Sequence, residues 1–121
     1  LERTEVPVEE ITVEDPFMQK LVELITENAQ DPELSMEVLY NKLGMSRTQF
    51  FRKIKAISDL SPNKLILNIR MKMAVEKFQS GGMTIAEVAY EVGFSDPAYF
   101  SKVFKSVFNQ TPTEYIKNIG K

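Results

Sequence analysis

Two stretches of the chain, about fifty residues apart, repeat one pattern of apolar and polar positions. The first is SMEVLYNKLGMSRTQFFRKIKAISDLSPNKL, and the second is TIAEVAYEVGFSDPAYFSKVFKSVFNQTPTEY. In each, apolar residues recur at intervals of three and four on both sides of a glycine, which is the spacing of one helix face. The pattern predicts two helix-turn-helix units in which Gly44 and Gly93 adopt a left-handed backbone.

The two units align closely, with one difference. They correspond at an offset of 49 residues up to the turn and of 50 residues after it, so the second unit has one extra residue just after its turn. In each unit we expect a first helix of about nine residues, and a second helix that begins at Ser46 or Ser95 as its N-cap.

The rest of the chain from residue 17 onward is also predicted to be helical. Asp31-Pro32 and Gly81-Gly82 are stop signals, whereas Ser61-Pro62 and Thr111-Pro112 place a cap before a proline at the first helical position. Thr84 and Thr111 each precede a glutamate by three residues, the spacing of a capping box. The predicted elements are a first helix at about 17–29, motif one at 35–58, a long linker helix at 61–80, motif two at 84–108 and a final helix at 111–118. The fold class is therefore all-α, with about seven helices and two helix-turn-helix motifs joined by the linker helix.

The N-terminal stretch LERTEVPVEEITVEDP has a different character. Its prolines disfavour helix and acidic residues crowd between them, so residues 1–16 are predicted to be an extended, solvated linker. Because the chain begins at Leu1 rather than Met, we expect a segment of a larger protein. Residues 1–16 would then connect a preceding domain to a single domain at 17–121.

Composition excludes most catalytic classes. With 121 residues, 43% of them hydrophobic and 26% charged, the chain has the composition of one globular domain. It contains no cysteine and no histidine, so thiol chemistry, zinc fingers and Ser-His nucleophiles are absent. An enzyme would need perturbed carboxylates in a pocket, and only the linker acids are available. We therefore expect no catalysis, no cofactor and no metal. Since no run approaches a membrane span, we also expect no membrane contact and a cytoplasmic location.

The small net charge of -2 conceals a division along the chain. Residues 1–34 hold ten acidic and two basic residues, a net charge of -8, whereas residues 35–121 hold seven acidic and thirteen basic residues, a net charge of +6. Only the later part is suited to bind a polyanion such as nucleic acid.

The second helix of each motif is predicted to have a buried stripe and an outward face at helical spacing. The buried residues are Phe50, Ile54 and Ile57 in motif one and Phe100, Phe104 and Val107 in motif two. The outward residues are Thr48, Arg52 and Lys55 in motif one and Ala98, Lys102 and Lys105 in motif two.

Matched bases on the two outward faces favour DNA binding. A single lysine there is most simply a solvated surface residue, but basic residues recur at equivalent positions in both motifs. Phe51 and Tyr99 lie beside them and could press against bases, although Phe51 could instead cover the seam between helices. A helical protein-interaction module without DNA binding remains the alternative. It does not account for the paired basic faces.

The linker helix has a suggestive length. A helix of about 20 residues is roughly 30 Å long, close to the rise of about 34 Å for one turn of DNA. It could therefore hold two recognition helices in successive major grooves of double-stranded DNA.

The stretch IAEVAYEVGFSDPAYFSKVFKSVFNQTPTEY resembles the signature of the AraC/XylS transcription regulators. Residues from about 17 to 117 resemble their seven-helix DNA-binding domain throughout. The resemblance implies sequence-specific DNA binding by a bacterial transcription regulator, with RNA polymerase as an expected partner of an activator. In addition, MSRTQFFRKIKAISDLSPNKLI after an acidic linker resembles the output domains of hybrid two-component regulators. The expected neighbours are then N-terminal receiver and sensor domains, and such a parent protein can be membrane-anchored.

The resemblance also implies particular DNA contacts. The family's frequent base-contacting arginine falls on Arg52, within a first recognition helix from Ser46 to about Ile57. The second recognition helix extends from Ser95 to about Phe108. It has Pro97 and Ala98 where family members often carry Arg or polar residues, so phosphate contacts are expected to dominate there. The predicted DNA-binding residues are Ser46, Arg47, Thr48, Phe51, Arg52 and Lys55 in motif one and Ser95, Ala98, Tyr99, Lys102 and Lys105 in motif two.

Overall fold

The computed structural model describes residues 15–31 and 33–120. These residues form seven α-helices and, within the described ranges, no strand. The helices are α1 (Pro16–Glu27), α2 (Met36–Lys42), α3 (Arg47–Ser58), α4 (Pro62–Ser80), α5 (Ile85–Glu91), α6 (Pro97–Phe108) and α7 (Pro112–Ile119). The prediction of an all-α fold with about seven helices is confirmed. Two helix-turn-helix motifs, α2–α3 and α5–α6, flank the long helix α4.

Side chains that accept the first free backbone N–H groups determine where most helices begin. The predicted capping boxes at Thr84 and Thr111 are present, and α3 has a third one between Ser46 and Gln49. Ser61 caps α4, and Pro62 is its first residue, as predicted. The turns of both motifs use glycine as expected, with φ of 68° at Gly44 and 96° at Gly93.

The start of α1 differs from the prediction. Pro16 was assigned to the linker, but it is the first residue of α1, and the Asp15 carboxylate accepts a hydrogen bond from the Phe17 N–H at 2.8 Å. Proline is tolerated at this position because its missing N–H would have no helical partner there. The remainder of the predicted linker, residues 1–14, lies outside the described residues, as does Pro32 in the predicted stop signal.

Ser95 is not the N-cap of the second recognition helix, contrary to the prediction. Asp96 caps α6, where its carboxylate accepts the Ala98 N–H at 2.9 Å, and Pro97 is the first helical residue. The extra residue after the turn moves the helix start by one position, and proline at the first position fixes it there. The first helices of both motifs are also shorter than expected, with seven residues each.

Two separate clusters of buried residues form the core, one for each motif. The first cluster is Met18, Leu21, Leu24, Ile25, Leu39, Phe50, Ile54, Leu60, Leu65 and Ile69. The second is Met71, Ala74, Phe78, Val88, Ala89, Val92, Phe94, Phe100, Val103, Phe104 and Val107. The first half of α4 contributes to one cluster and the second half to the other, while partly buried Met73 packs against both. Helix α4 therefore joins the two motifs through its packing as well as through the chain.

Candidate nucleic-acid interface

Helix α3 presents a polar face because its apolar residues are anchored in the first core. Phe50 and Ile54 have no exposed surface, and Ile57 is partly buried against the same cluster. Side chains on the other face, including Thr48 and Arg52, are exposed, as the spacing predicted. Ser46, Arg47 and Lys55 are exposed as well.

Helix α6 is built in the same way in the second motif. Phe100, Phe104 and Val107 are buried in the second core. The residues predicted to face outward or to lie beside that face are all exposed: Ser95, Ala98, Tyr99, Lys102 and Lys105. Tyr99 keeps 56% of its surface exposed although its ring packs 5.9 Å from that of Phe94, measured between centroids. The ring is thus oriented but open on one side.

Phe51 is less exposed than the residues on the outward face of α3. Its ring is half-buried, packs against the first core and lies 6.0 Å from the ring of Phe50. The Arg47 guanidinium lies over the same ring, 4.3 Å from its centroid. Phe51 therefore orients a cation at the start of the recognition helix through a cation–π contact.

The matched lysines of the two recognition helices have different neighbours. Lys55 Nζ lies 3.2 Å from a carboxylate oxygen of Asp59, the C-cap residue of α3. The equivalent C-cap residue of α6 is the neutral Asn109. Both cap residues are left-handed, with φ of 60° and 61°. The basic face of α3 thus carries an acidic residue that α6 lacks at the matched position.

Lys105 has a longer-range acidic neighbour in α7. The pKa of the Glu114 carboxyl is lowered, mainly by hydrogen bonds from Thr111 and in smaller part by the positive charge of Lys105. No ion pair joins Lys105 to Glu114 within the described residues. Lys105 can therefore contact a phosphate without first breaking an ion pair.

Arg52 and Lys102 occupy matched positions near the middle of the two exposed faces. Across residues 15–31 and 33–120, neither forms an ion pair or a side-chain hydrogen bond. A guanidinium with all donors available can form two parallel hydrogen bonds with guanine, whereas an ammonium acts as a point charge toward phosphate. The two helices therefore present different chemistry at the same position.

A cleft of about 550 Å³ separates the two motifs. It is lined by Leu34, just before motif one, by Met36 of α2, by Lys64 and Arg70 of α4 and by Tyr99 of α6, among others. Tyr99 therefore borders both the exposed face of α6 and the space between the motifs. No cluster of potential metal ligands occurs in the described part of the chain, and no helix there is long and apolar enough to span a membrane.

Three residues of this surface were not found from the sequence. Asp59 neutralises part of the basic face, Asp96 caps α6, and Arg70 connects α4 to the turn of motif two. The Asp96-Pro97 pair was a visible signal for the cap. The spacing of four residues between Lys55 and Asp59 was a visible signal for their ion pair, whereas the contact of Arg70 with Gly93, 23 residues away, leaves no local signal.

The fold and the two exposed basic faces define a double helix-turn-helix domain of the DNA-binding class. The family described as "Helix-turn-helix domain" matches residues 39–118. The chain belongs to this family, whose AraC-type members are DNA-binding transcription regulators.

Individual relatives agree with this assignment. The C-terminal domain of AraT, a response regulator from Geobacillus stearothermophilus, is 28% identical, with a TM-score of 0.75 and 86% coverage of both chains. A transcriptional regulator from Chromobacterium violaceum, described among AraC-type DNA-binding domain-containing proteins, is 29% identical, with a TM-score of 0.77 and coverage of 85% of this chain and 91% of that one.

The chain corresponds to only part of its curated relatives. Histidine kinase P4 of Formosa agariphila is 34% identical over 104 residues, which are 86% of this chain but 8% of the kinase. Two curated regulators, the Msm operon regulatory protein of Streptococcus mutans and MtrA of Neisseria gonorrhoeae, are each spanned to 35% of their length. The relatives therefore contain large regions that have no counterpart in this sequence.

Proposed function

We propose that this domain binds double-stranded DNA in a sequence-specific manner, with α3 and α6 in successive major grooves on one side of the duplex. The observation that carries the proposal is the pair of matched basic faces, each held outward by its own buried core. Helix α4 has 19 residues and is therefore about 28 Å long, close to the rise of one DNA turn.

We assign base recognition mainly to α3. Arg52 supplies the bidentate donor, and Arg47, Thr48 and the C-terminal Lys55 flank it on the exposed side. Helix α6 contributes chiefly phosphate contacts through Lys102 and Lys105, with Tyr99 available to contact a base or sugar. Phe51 acts through Arg47, whose guanidinium it orients.

The similarity to a histidine kinase and to a response-regulator domain supports a role for this domain within a longer signalling protein. In the parent protein, this domain would be the output module that follows a receiver, and phosphorylation of the receiver would control DNA binding. RNA polymerase would be the partner at the promoter, and the domain itself would carry out no catalysis.

Two substitutions test whether α3 recognises bases while α6 mainly contacts phosphates. Arg52→Ala should cost about 1–3 kcal/mol on the preferred site and relax base preference at one half-site. Lys105→Ala should weaken all sequences alike and flatten the salt dependence by about one unit. Both are measured by titrating labelled duplexes at several salt concentrations, after footprinting has located two protected segments about 10 base pairs apart. Absence of salt-dependent DNA binding would contradict the proposal and favour a protein-interaction module.

A further inference from the structure

Arg70 lies at the middle of α4, where the helix passes from the first core to the second. Its neighbours Ile69 and Met71 are buried in different clusters. The Arg70 Nη1 group donates a hydrogen bond of 3.0 Å to the carbonyl oxygen of Gly93, in the turn of motif two. The guanidinium thus connects the shared helix to the loop that precedes the second recognition helix.

Gly93 brings the two motifs close together at the same point. A Cβ atom there would overlap the Arg70 guanidinium and also the carbonyl oxygen of Ala29, in the loop after α1. The φ of 96° would itself disfavour any other residue. The turn of motif two therefore packs directly against the Arg70 side chain and against the backbone of Ala29, which follows α1.

Placing an arginine here has an energetic cost. The side chain is partly buried, and burial lowers the pKa of its guanidinium. Its Nε–H is buried with no acceptor among the described residues. A methionine would fill similar space and avoid desolvating a charge, and it would lose one hydrogen bond, to the Gly93 carbonyl. Stability alone therefore does not explain the residue.

We propose that Arg70 is a positioning residue whose hydrogen bond to Gly93 fixes the orientation of the second recognition helix relative to the first. Loss of this bond leaves each motif folded around its own core but widens the range of angles between the motifs. The consequence for DNA rests on the proposed function, because two recognition helices gain from simultaneous binding only when their separation is held.

Distances between the motifs test the orientation directly. The chain has no cysteine, so Asn41→Cys in α2 and Tyr90→Cys in α5, both at exposed positions, accept two unique spin labels. Arg70→Met should broaden the distance distribution measured by pulsed electron resonance while the domain still unfolds cooperatively on heating. Arg70→Lys should also broaden it, since a lysine cannot reproduce the planar geometry of the guanidinium.

Lys77→Met is the matched control. Lys77 also lies on α4 and also contacts motif two, through an ion pair of 3.5 Å with Glu91. Arg70 contacts the turn of motif two at Gly93, beside the carbonyl oxygen of Ala29, whereas Lys77 contacts Glu91 in α5. Its replacement should leave the distance distribution narrow. A distribution for Arg70→Met as narrow as that of the unmutated domain would overturn the proposal, and so would equal broadening in both variants.

DNA binding supplies the second readout. On a duplex with both half-sites, Arg70→Met should lose about tenfold or more in affinity, because the second helix no longer binds at a high effective concentration. On a duplex with one half-site its affinity should stay within about twofold. Equal losses on both duplexes would overturn the positioning role. Failure of the unmutated domain to bind any duplex would refute the proposed function instead, and the spin-label result would still decide whether Arg70 orients the motifs.

Discussion

Removing the acidic residue beside Lys55 should strengthen DNA binding without weakening the fold. Asp59 lies at the C-cap of α3 with a left-handed backbone, and its carboxylate is 3.2 Å from Lys55 Nζ. Asparagine adopts this backbone readily, as Asn109 does at the matched position. Asp59→Asn therefore keeps the shape of the helix end and removes one negative charge from the proposed DNA-binding face.

The expected size of the effect follows from the exposure of the pair. The Lys55 and Asp59 side chains are 67% and 90% exposed, so their ion pair stabilises the fold by only about 0–1 kcal/mol. Once released, Lys55 can neutralise one more phosphate, which steepens the plot of log K against log salt by about 0.9. When the salt concentration is lowered from about 200 mM to 50 mM, the affinity of Asp59→Asn for any duplex should therefore rise about 3.5-fold more than that of the unmutated domain.

The assay is a salt titration with a labelled duplex of arbitrary sequence, so it does not require the operator. Asn109→Asp is the reciprocal control, because it places a carboxylate four residues after Lys105 and should flatten the slope by up to about 0.9. Thermal unfolding of both variants checks that the fold is retained. An unchanged slope for Asp59→Asn, together with a reduced slope for Lys105→Ala, would mean that Lys55 does not reach a phosphate.

Three further results are expected. Phe104→Ala should destabilise the domain by about 3–5 kcal/mol in urea unfolding, because its fully buried ring contacts those of Phe78, Phe100, Phe108 and Tyr115. The lowered pKa of Glu114 means that its contribution to stability is complete above the ordinary carboxyl pKa and is lost as pH falls through the lowered value. Glu114→Gln should therefore reduce the loss of thermal stability between about pH 6 and pH 3, and an unchanged pH profile would contradict this. Deleting residues 1–14 removes five acidic residues and one basic residue while keeping the Asp15 cap, and it should tighten DNA binding at low salt. Weaker or unchanged binding would show that these acids do not oppose DNA.

Most of the architecture was predictable because it depends on local periodicity. The buried stripes of α3 and α6 follow from spacings of three and four residues, and the glycine of each turn marks where a left-handed backbone is required. Capping residues identified the starts of α4, α5 and α7. Ser95 was assigned wrongly because two adjacent residues can both cap a helix. The proline that follows Asp96 decides between them.

The surface was less predictable, since it depends on contacts between distant residues. The burial of Phe51 depends on how α3 packs, and a helical pattern alone left it as either a DNA contact or a seam residue. Arg70 and Gly93 are 23 residues apart in the chain, and no spacing rule connects them. Asp59 was not singled out from the sequence, although it lies four residues after Lys55, and in the structure it caps α3 with a left-handed backbone beside that lysine.

The two cores built on one helix have a consequence for unfolding. Each half contacts the other mainly where α4 passes from one cluster to the next, so the domain behaves as the shortest possible repeat array, with two units and one interface. The stability of such an array is the sum of two unit terms and one coupling term. Amide hydrogens in the outer helices α1 and α7 would then exchange through opening of one unit, whereas those at the centre of α4 would exchange only when both units open.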